Sequence, residues 1–384
     1  MNYKRLKGQI IGYVKHLPQF IHDDFFSLFP HFCLNRRVEH FLANDMEKKD
    51  HNAIVYRKDI EDNFSANLTE EELSDKVLIE RLTKDNIKSY LLYGITPDEY
   101  FLYEFRKKSD AERSEILSRK RRDDLVCRNL GYDTREYFNQ LKDKWIFYSL
   151  AKPYFKRDVC RVQEESDWPA VEEFCSKHTR FIAKPRLESS GIGVHVVDLS
   201  QNQYGNIRGL FDHYRLLDKG KWMFEEFIVQ DERMASWHPS SVNTIRVPSF
   251  KTNKGIKVLL PLFRVGKNGN LVDNCHNDGG LMSVPDAETG ILVSDGYDIY
   301  TNVVKSHPNT GMKFKGWQVP MWKELIETAT ELHKSMPPKH KYIGFDFALT
   351  PKGWVVVEGN WGNFPHQVCV GYGIRKEFER LMRS

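Results

Sequence analysis

The stretch "GFDFALTPKGWVVVEGNWGNFP", residues 344–365, brings three oxygen-bearing side chains into a short span that otherwise reads as buried strand. In "GFDFAL" the alternation sets Asp346 on the face opposite Phe345 and Phe347. "TPKG" then reads as a hairpin turn, because Pro351 fixes φ and Gly353 allows a positive one. The returning strand, "WVVVEGN", runs three valines into Glu358, and Asn360 lies two residues on, hence on the same face. Hairpin pairing can therefore converge Asp346, Glu358 and Asn360 on one spot. Two carboxylates and an amide carbonyl are hard oxygen donors of the kind that suits Mg²⁺ completed by substrate phosphates. An exposed turn with ordinary polar residues is the alternative, but it does not explain an acid placed directly after three valines.

Working outward, a metal site of that composition asks for a phosphate ligand. Walker A is absent, since no GxxxxGK[ST] occurs. "FIAKP" is followed closely by "SSGIGV", a loop holding Ser189, Ser190, Gly191 and Gly193 whose main-chain N–H groups could close over phosphates. Lys184 ends the strand just before it, placed to meet a phosphate as a point charge. In "MFEEFIVQDE" an apolar strand enters Glu225, Glu226, Phe227 and Ile228, the pattern of a hinge whose main chain reads an adenine edge. Taken singly, each of these is also compatible with a surface lysine or an edge strand.

Composition bounds the rest. The chain has 384 residues, 40% hydrophobic and 13% aromatic, enough for two or three domains and a sizeable core. With 57 basic and 53 acidic residues the net charge is only +4, which argues against bulk nucleic-acid binding and leaves acidic small molecules open. Six scattered cysteines (33, 127, 160, 175, 275 and 369) form no CxxC pair and read as reduced thiols of a cytoplasmic protein. No apolar run reaches the roughly 18 residues a membrane span needs. The N-terminus sets Ile10, Ile11, Val14 and Leu17 at helical spacing beside Lys4, Arg5, Lys7 and Lys15. It reads first as a docking helix, with peripheral contact at the inner membrane surface as the second option.

Residues 1–140 read as mostly helical, with Thr69 able to cap "EEEL" and the basic residues 119–122 forming a solvated helix face. From about 141, short β-rich runs with interposed helices predict an α+β domain built on antiparallel sheets. Its expected division is a lysine, loop and hinge part at about 141–230 and a metal-binding part at 231–384.

Together, Lys-Pro before a Ser/Gly loop, an acidic hinge and a terminal Asp…Glu-x-Asn resemble the ATP-grasp superfamily, over about residues 141–365. "LKDKWIFYSLAKPYF" adds a resemblance to its Asp-Lys pair opening a helix. "SSVNTIRV", "PLFRVGKNGNLVDNCHNDGGL", "HPNTGMKFKGWQVPMW" and the helical "YGITPDEYFLYEF" are similar to the sugar-transfer-associated branch, which tends to accompany capsule and exopolysaccharide genes.

The resemblance implies two α+β subdomains clasping ATP. In it Asp346 and Asn360 each hold one Mg²⁺, and Glu358 bridges two. Lys144 and Lys184 grip the phosphates, the 189–193 loop covers them, and residues 225–228 form the adenine hinge. Glu232 matches an acid that holds the ribose in some members. Many such ligases carry an arginine two residues before the metal-binding aspartate, where this chain has Gly344. Arg246 and Arg264, each interrupting an apolar strand, are the candidates to replace it, with a structural salt bridge as the alternative for each. His276, in the glycine-hinged loop "VDNCHNDGGLM", is the candidate general base for an incoming amine.

The implied activity is ATP-dependent ligation of a carboxylate to an amine through an acyl-phosphate, on an amino acid and a sugar-type small molecule. The rival readings are a phosphotransferase acting on a hydroxyl and a nucleotide-binding scaffold that has lost catalysis.

Overall fold

The computed structural model describes residues 34–35, 37–39, 42, 57–130, 134–188, 191–217, 221–270, 280–362 and 364–384. The basic N-terminal segment, Ser189, Ser190 and His276 lie outside the described residues. The chain divides into two compact units. One holds residues 1–125, 363–368 and 372–376; the other holds 126–362, 369–371 and 377–384.

The first unit is helical: α1 (Arg57–Asn67), α2 (Glu70–Ser74), α3 (Lys76–Tyr93), α4 (Pro97–Leu102), α5 (Asp110–Glu115) and most of α6 (Arg119–Leu130). Local chemistry sets its breaks. Thr69 and Glu72 form a reciprocal capping box on α2, and Asp75 caps α3, so one amphipathic run becomes two helices. Gly94, at φ 67°, ends α3 in the left-handed conformation that glycine adopts without strain. The basic run at the start of α6 differs from its expected solvated face. Arg122 is buried, and Arg119 pairs with Asp98 at 2.5 Å.

The second unit is α+β. It adds α7 (Arg135–Lys142), α8 (Lys144–Phe155), α9 (Trp168–Lys177), α10 (Ile207–Leu216) and α11 (Trp322–Ser335). Helix α7 belongs here because Tyr137 donates its hydroxyl to the Tyr342 carbonyl at 2.7 Å, so this unit begins before residue 141.

Four strands, β1 (Val159–Val162), β2 (Arg180–Pro185), β3 (His195–Asp198) and β4 (Trp222–Glu225), form an antiparallel sheet in the order β1-β4-β2-β3. Its core packs Phe181, Phe224 and Trp222 against Val171 and Phe174 of α9 and Leu210 and Phe211 of α10. The second sheet contains β5 (Thr244–Thr252), β6 (Gly255–Val258), β7 (Leu262–Gly266), β8 (Gly280–Ser283), β9 (Gly296–Tyr297), β10 (Val303–Val304), β11 (Tyr342–Thr350) and β12 (Gly353–Asn360). It runs β10-β9-β8-β7-β5-β11-β12, with β6 paired to β5. Strand β11 is buried on both faces for eight of its nine residues. No helix among the described residues is long and apolar enough to cross a membrane.

Candidate active site

The site begins with a register. On β11, Asp346 pairs with Arg246 of β5 on one side and Glu358 of β12 on the other. Directly opposed residues in an antiparallel sheet share a face, so these three form one row across it. The turn at Pro351 and Lys352 sets the pairing as far as Phe347 and Val356, with Thr350 opposite Gly353 at φ 89°, a register that alone would put Val357 opposite Asp346. The register then shifts between Asp346 and Phe347: Val356 opposes Phe347 while Glu358 opposes Asp346, which makes Val357 the extra residue of a bulge. Asn360 lies opposite Gly344 and reaches back to Asp346, its Nδ2 donating at 3.4 Å, while its Oδ1 accepts from the Gly362 N–H at 2.7 Å.

Asp346 has no exposed surface, and an isolated carboxylate there would cost several kcal/mol. Arg246 compensates with Nε and Nη2 on the two oxygens at 2.8 and 2.9 Å, and Arg264 adds Nη2 at 3.0 Å. Burial pushes the Asp346 carboxyl up, but the two guanidiniums win and hold it at about 2. Glu358 goes the other way. Burial raises it, the Asp346 charge raises it further, and Lys144, Arg264 and Arg246 offset only part. Lys144 is lowered by burial, partly opposed by Glu358.

Arg246 and Arg264 are thus both ion-paired in the fold, and their partner is the acid expected to hold metal. Arg264 is itself steadied by Thr244, whose hydroxyl accepts from Nε at 3.0 Å and Nη2 at 2.8 Å.

Glu358, Asp346 and Asn360 also fit a divalent cation by chemistry. A fully buried carboxylate and a half-buried one face each other, and the charged form of Glu358 is disfavoured by Asp346, a repulsion that a cation relieves. A Mg²⁺ held there would supply charge neutralisation at a phosphate.

A second cluster surrounds the lysines. Lys184 is buried at the end of β2 and ion-pairs with Glu225, the last residue of β4. The Glu225 side chain is therefore committed to a cation, which leaves only its main chain for the expected hinge. Arg157, missed in the sequence, binds the same carboxylate through Nε at 2.6 Å.

Lys144 opens α8 and donates Nζ to the Glu188 carbonyl just before the Ser/Gly loop. Its neighbour Asp143 caps α8 on Trp145 at 3.0 Å and also binds Arg186 through Nε at 3.0 Å. The Lys144 N–H in turn donates to the Arg186 carbonyl at 3.1 Å, which fastens the α8 N-terminus to the end of β2. A lysine and an arginine flanking Pro185 at a strand end were the available signal for Arg186.

The remaining candidates are dispersed. Glu226 accepts from the Asp158 N–H at 2.9 Å, where Asp158 also meets His178 at 2.9 Å, so its carboxylate turns toward the start of β1. Phe227 lies under the Arg180 guanidinium at 5.3 Å. Ile228 is half-buried, and Glu232 is exposed at the start of the short helix Glu232–Ala235. Gly191 and Gly193 have φ of 76° and 75°, and the Gly193 carbonyl accepts from Nδ1 of His195 at 2.9 Å. A Cβ at Gly193 would sit 2.7 Å from Pro185 Cγ, so glycine permits the loop to fold onto the Lys-Pro strand.

Residues 129–382 match the family described as sugar-transfer associated ATP-grasp, and the chain belongs to that family. Its fold is the ATP-grasp fold, α+β with a helical N-terminal region. Similar solved structures include an ATP-grasp superfamily protein from Archaeoglobus fulgidus (12% identity, 62% of this chain and 52% of that one, TM-score 0.33). Also similar are D-alanine-D-alanine ligase from Coxiella burnetii (10%, 63% and 57%, TM-score 0.35) and a biotin carboxylase–β,γ-ATP complex from Campylobacter jejuni (12%, 64% and 46%, TM-score 0.39). The chain spans about half the length of these proteins. No curated protein matches it by sequence.

Proposed function

We propose that this protein is an ATP- and Mg²⁺-dependent carboxylate–amine ligase acting through an acyl-phosphate, on an amino acid and a sugar-type small molecule of surface-polysaccharide biosynthesis. The observation that carries the reading is the row Arg246–Asp346–Glu358 beside the lysine cluster. It concentrates oxygen ligands for a cation and fixed positive groups for phosphate in one unit of the chain.

In this reading the substrate carboxylate oxygen forms a bond to the γ-phosphorus of ATP, and the bond to ADP breaks. Lys144 and Lys184 hold the phosphates, with the 189–193 loop over them and the main chain of residues 225–228 against adenine. Glu358, Asp346 and Asn360 hold the cation, whose contribution is to neutralise phosphate charge. An amine then attacks the acyl carbon, phosphate leaves, and the amine proton passes to a base, for which His276 is the candidate. Arg246 and Arg264, already oriented by Asp346 and Thr244, present guanidinium to the oxyanion of that step, and donors fixed beforehand lose little in reorganisation.

Incubation with ATP, Mg²⁺, hydroxylamine and a panel of amino and uronic acids tests the reading. An acyl hydroxamate, with ADP and phosphate released in equal amounts, is expected. A phosphorylated product without hydroxamate would replace the ligase by a phosphotransferase.

A further inference from the structure

Arg157 stands in the short link between α8 and β1, where it makes bonds to three separate segments. Its Nε donates to Glu225 Oε1 at 2.6 Å, and its Nη1 donates to the Val356 carbonyl at 2.7 Å and the Phe155 carbonyl at 3.1 Å. The guanidinium also lies over the Phe155 ring at 4.5 Å. Arg157 and Glu225 side chains are each 5% exposed, so the pair is dry. Val356 flanks the β12 bulge and lies two residues before Glu358. One side chain therefore ties the sheet carrying Lys184 to the bulged strand carrying Glu358.

The charge count gives this link a purpose. Glu225 holds two cations, Arg157 and Lys184, so the buried cluster carries one net positive charge. Burial pushes the Glu225 carboxyl up, but Arg157 and Lys184 outweigh it and keep the group ionised. Without Arg157, Lys184 would be the one cation in direct ion-pair contact with that buried carboxylate among the described residues, and could turn to a second anion only by giving up that contact. With Arg157 fixed on the other oxygen, Lys184 can turn to a phosphate while Glu225 stays compensated.

We infer that Arg157 is a positioning residue for nucleotide binding: it neutralises and immobilises Glu225 so that Lys184 is available to an anionic phosphate, and it registers that lysine against the Glu358 strand. The inference rests on the ATP-binding reading above.

The test is a double-mutant cycle on the full chain, with Mg·ATP binding measured by titration calorimetry. Arg157→Gln is expected to weaken binding about tenfold, and Arg157→Lys to recover part of the loss. In an Glu225→Gln background, Arg157→Gln is expected to change affinity less than threefold, because its target charge is gone. An additive tenfold loss in that background would mean that Arg157 acts through general stability, and would overturn the inference. So would unchanged binding by Arg157→Gln. If Arg157→Gln does not fold, Arg157→Lys carries the same cycle. A wild-type chain that binds no Mg·ATP overturns the functional reading and this inference with it, whereas binding that Arg157 does not influence overturns this inference alone.

Discussion

Arg246 lies directly across the β5–β11 ladder from Asp346, and its Nε and Nη2 occupy both carboxylate oxygens at 2.8 and 2.9 Å. Gly344, the position expected from the resemblance to hold an arginine, stands two residues earlier on the same strand. A guanidinium thus reaches Asp346, the acid proposed to hold metal, from the neighbouring strand. Arg246→Gln leaves a fully buried carboxylate with Arg264 alone and is expected to cost about 3 kcal/mol. Arg246→Lys should recover only part of this, because one ammonium cannot match the two-oxygen fork. Urea unfolding with an unchanged m-value measures both variants.

Glu358→Gln separates function from stability. The charged form of Glu358 is disfavoured by burial and then by Asp346, so a neutral isostere fits the metal-free fold. ATP turnover is expected to fall by about 10² or more while the melting temperature stays at or above wild type. Near wild-type turnover would remove Glu358 from the site.

Gly359 marks where α8 presses on β12. A Cβ there would lie 2.3 Å from Cε2 of Phe147, a core residue of the helix that Lys144 opens. Gly359→Ala is expected to destabilise by about 1–3 kcal/mol through overpacking and, by shifting α8, to weaken nucleotide binding. Thermal melts paired with titration calorimetry distinguish the two effects.

Acid lability should trace to His333 and His340. The His333 Nε2–H donates to the His340 carbonyl at 2.8 Å, so Nδ1 accepts from the Ser249 hydroxyl at 2.7 Å, an arrangement satisfied by neutral imidazole. Burial depresses His333 to about 3 and His340 to about 4. Folded pKa values below the ordinary 6.5 mean that the unfolded chain takes up these protons first. The histidines' contribution is complete above pH 6.5 and is lost as pH falls toward 3–4, at up to about 1.4 kcal/mol per pH unit for each group. Melting temperature against pH should show this slope, and His333→Gln should flatten it.

The parts of the candidate site that were legible in sequence carry local information. The turn at 350–353 pairs β11 with β12 as far as Phe347 and Val356, so the hairpin itself follows from local sequence, while the one-residue shift that sets Glu358 opposite Asp346 does not. Lys144 and Lys184 were visible through their immediate contexts, a helix-capping aspartate and a strand ending before a Ser/Gly loop. The bulge at Val357 was not visible, since it depends on how β12 accommodates its neighbours. The burial of the Glu225 side chain was also hidden, because its partners come from β2 and from the link before β1.

The sequence by itself determined the chemical inventory and its grouping along the chain: oxygen ligands at the end of a hairpin, and a lysine ahead of a glycine loop, with the bulge that aligns Asp346 and Glu358 left to the sheet. Only the tertiary structure decided the pairing of charges. Periodicity assigns a side chain to a face, whereas a buried ion's partner depends on which distant strand lies alongside and which cations share its low-dielectric surroundings. That choice gave Asp346 to Arg246 and Arg264 and Glu225 to Arg157 and Lys184, and it left Glu358 the acid with the least compensation.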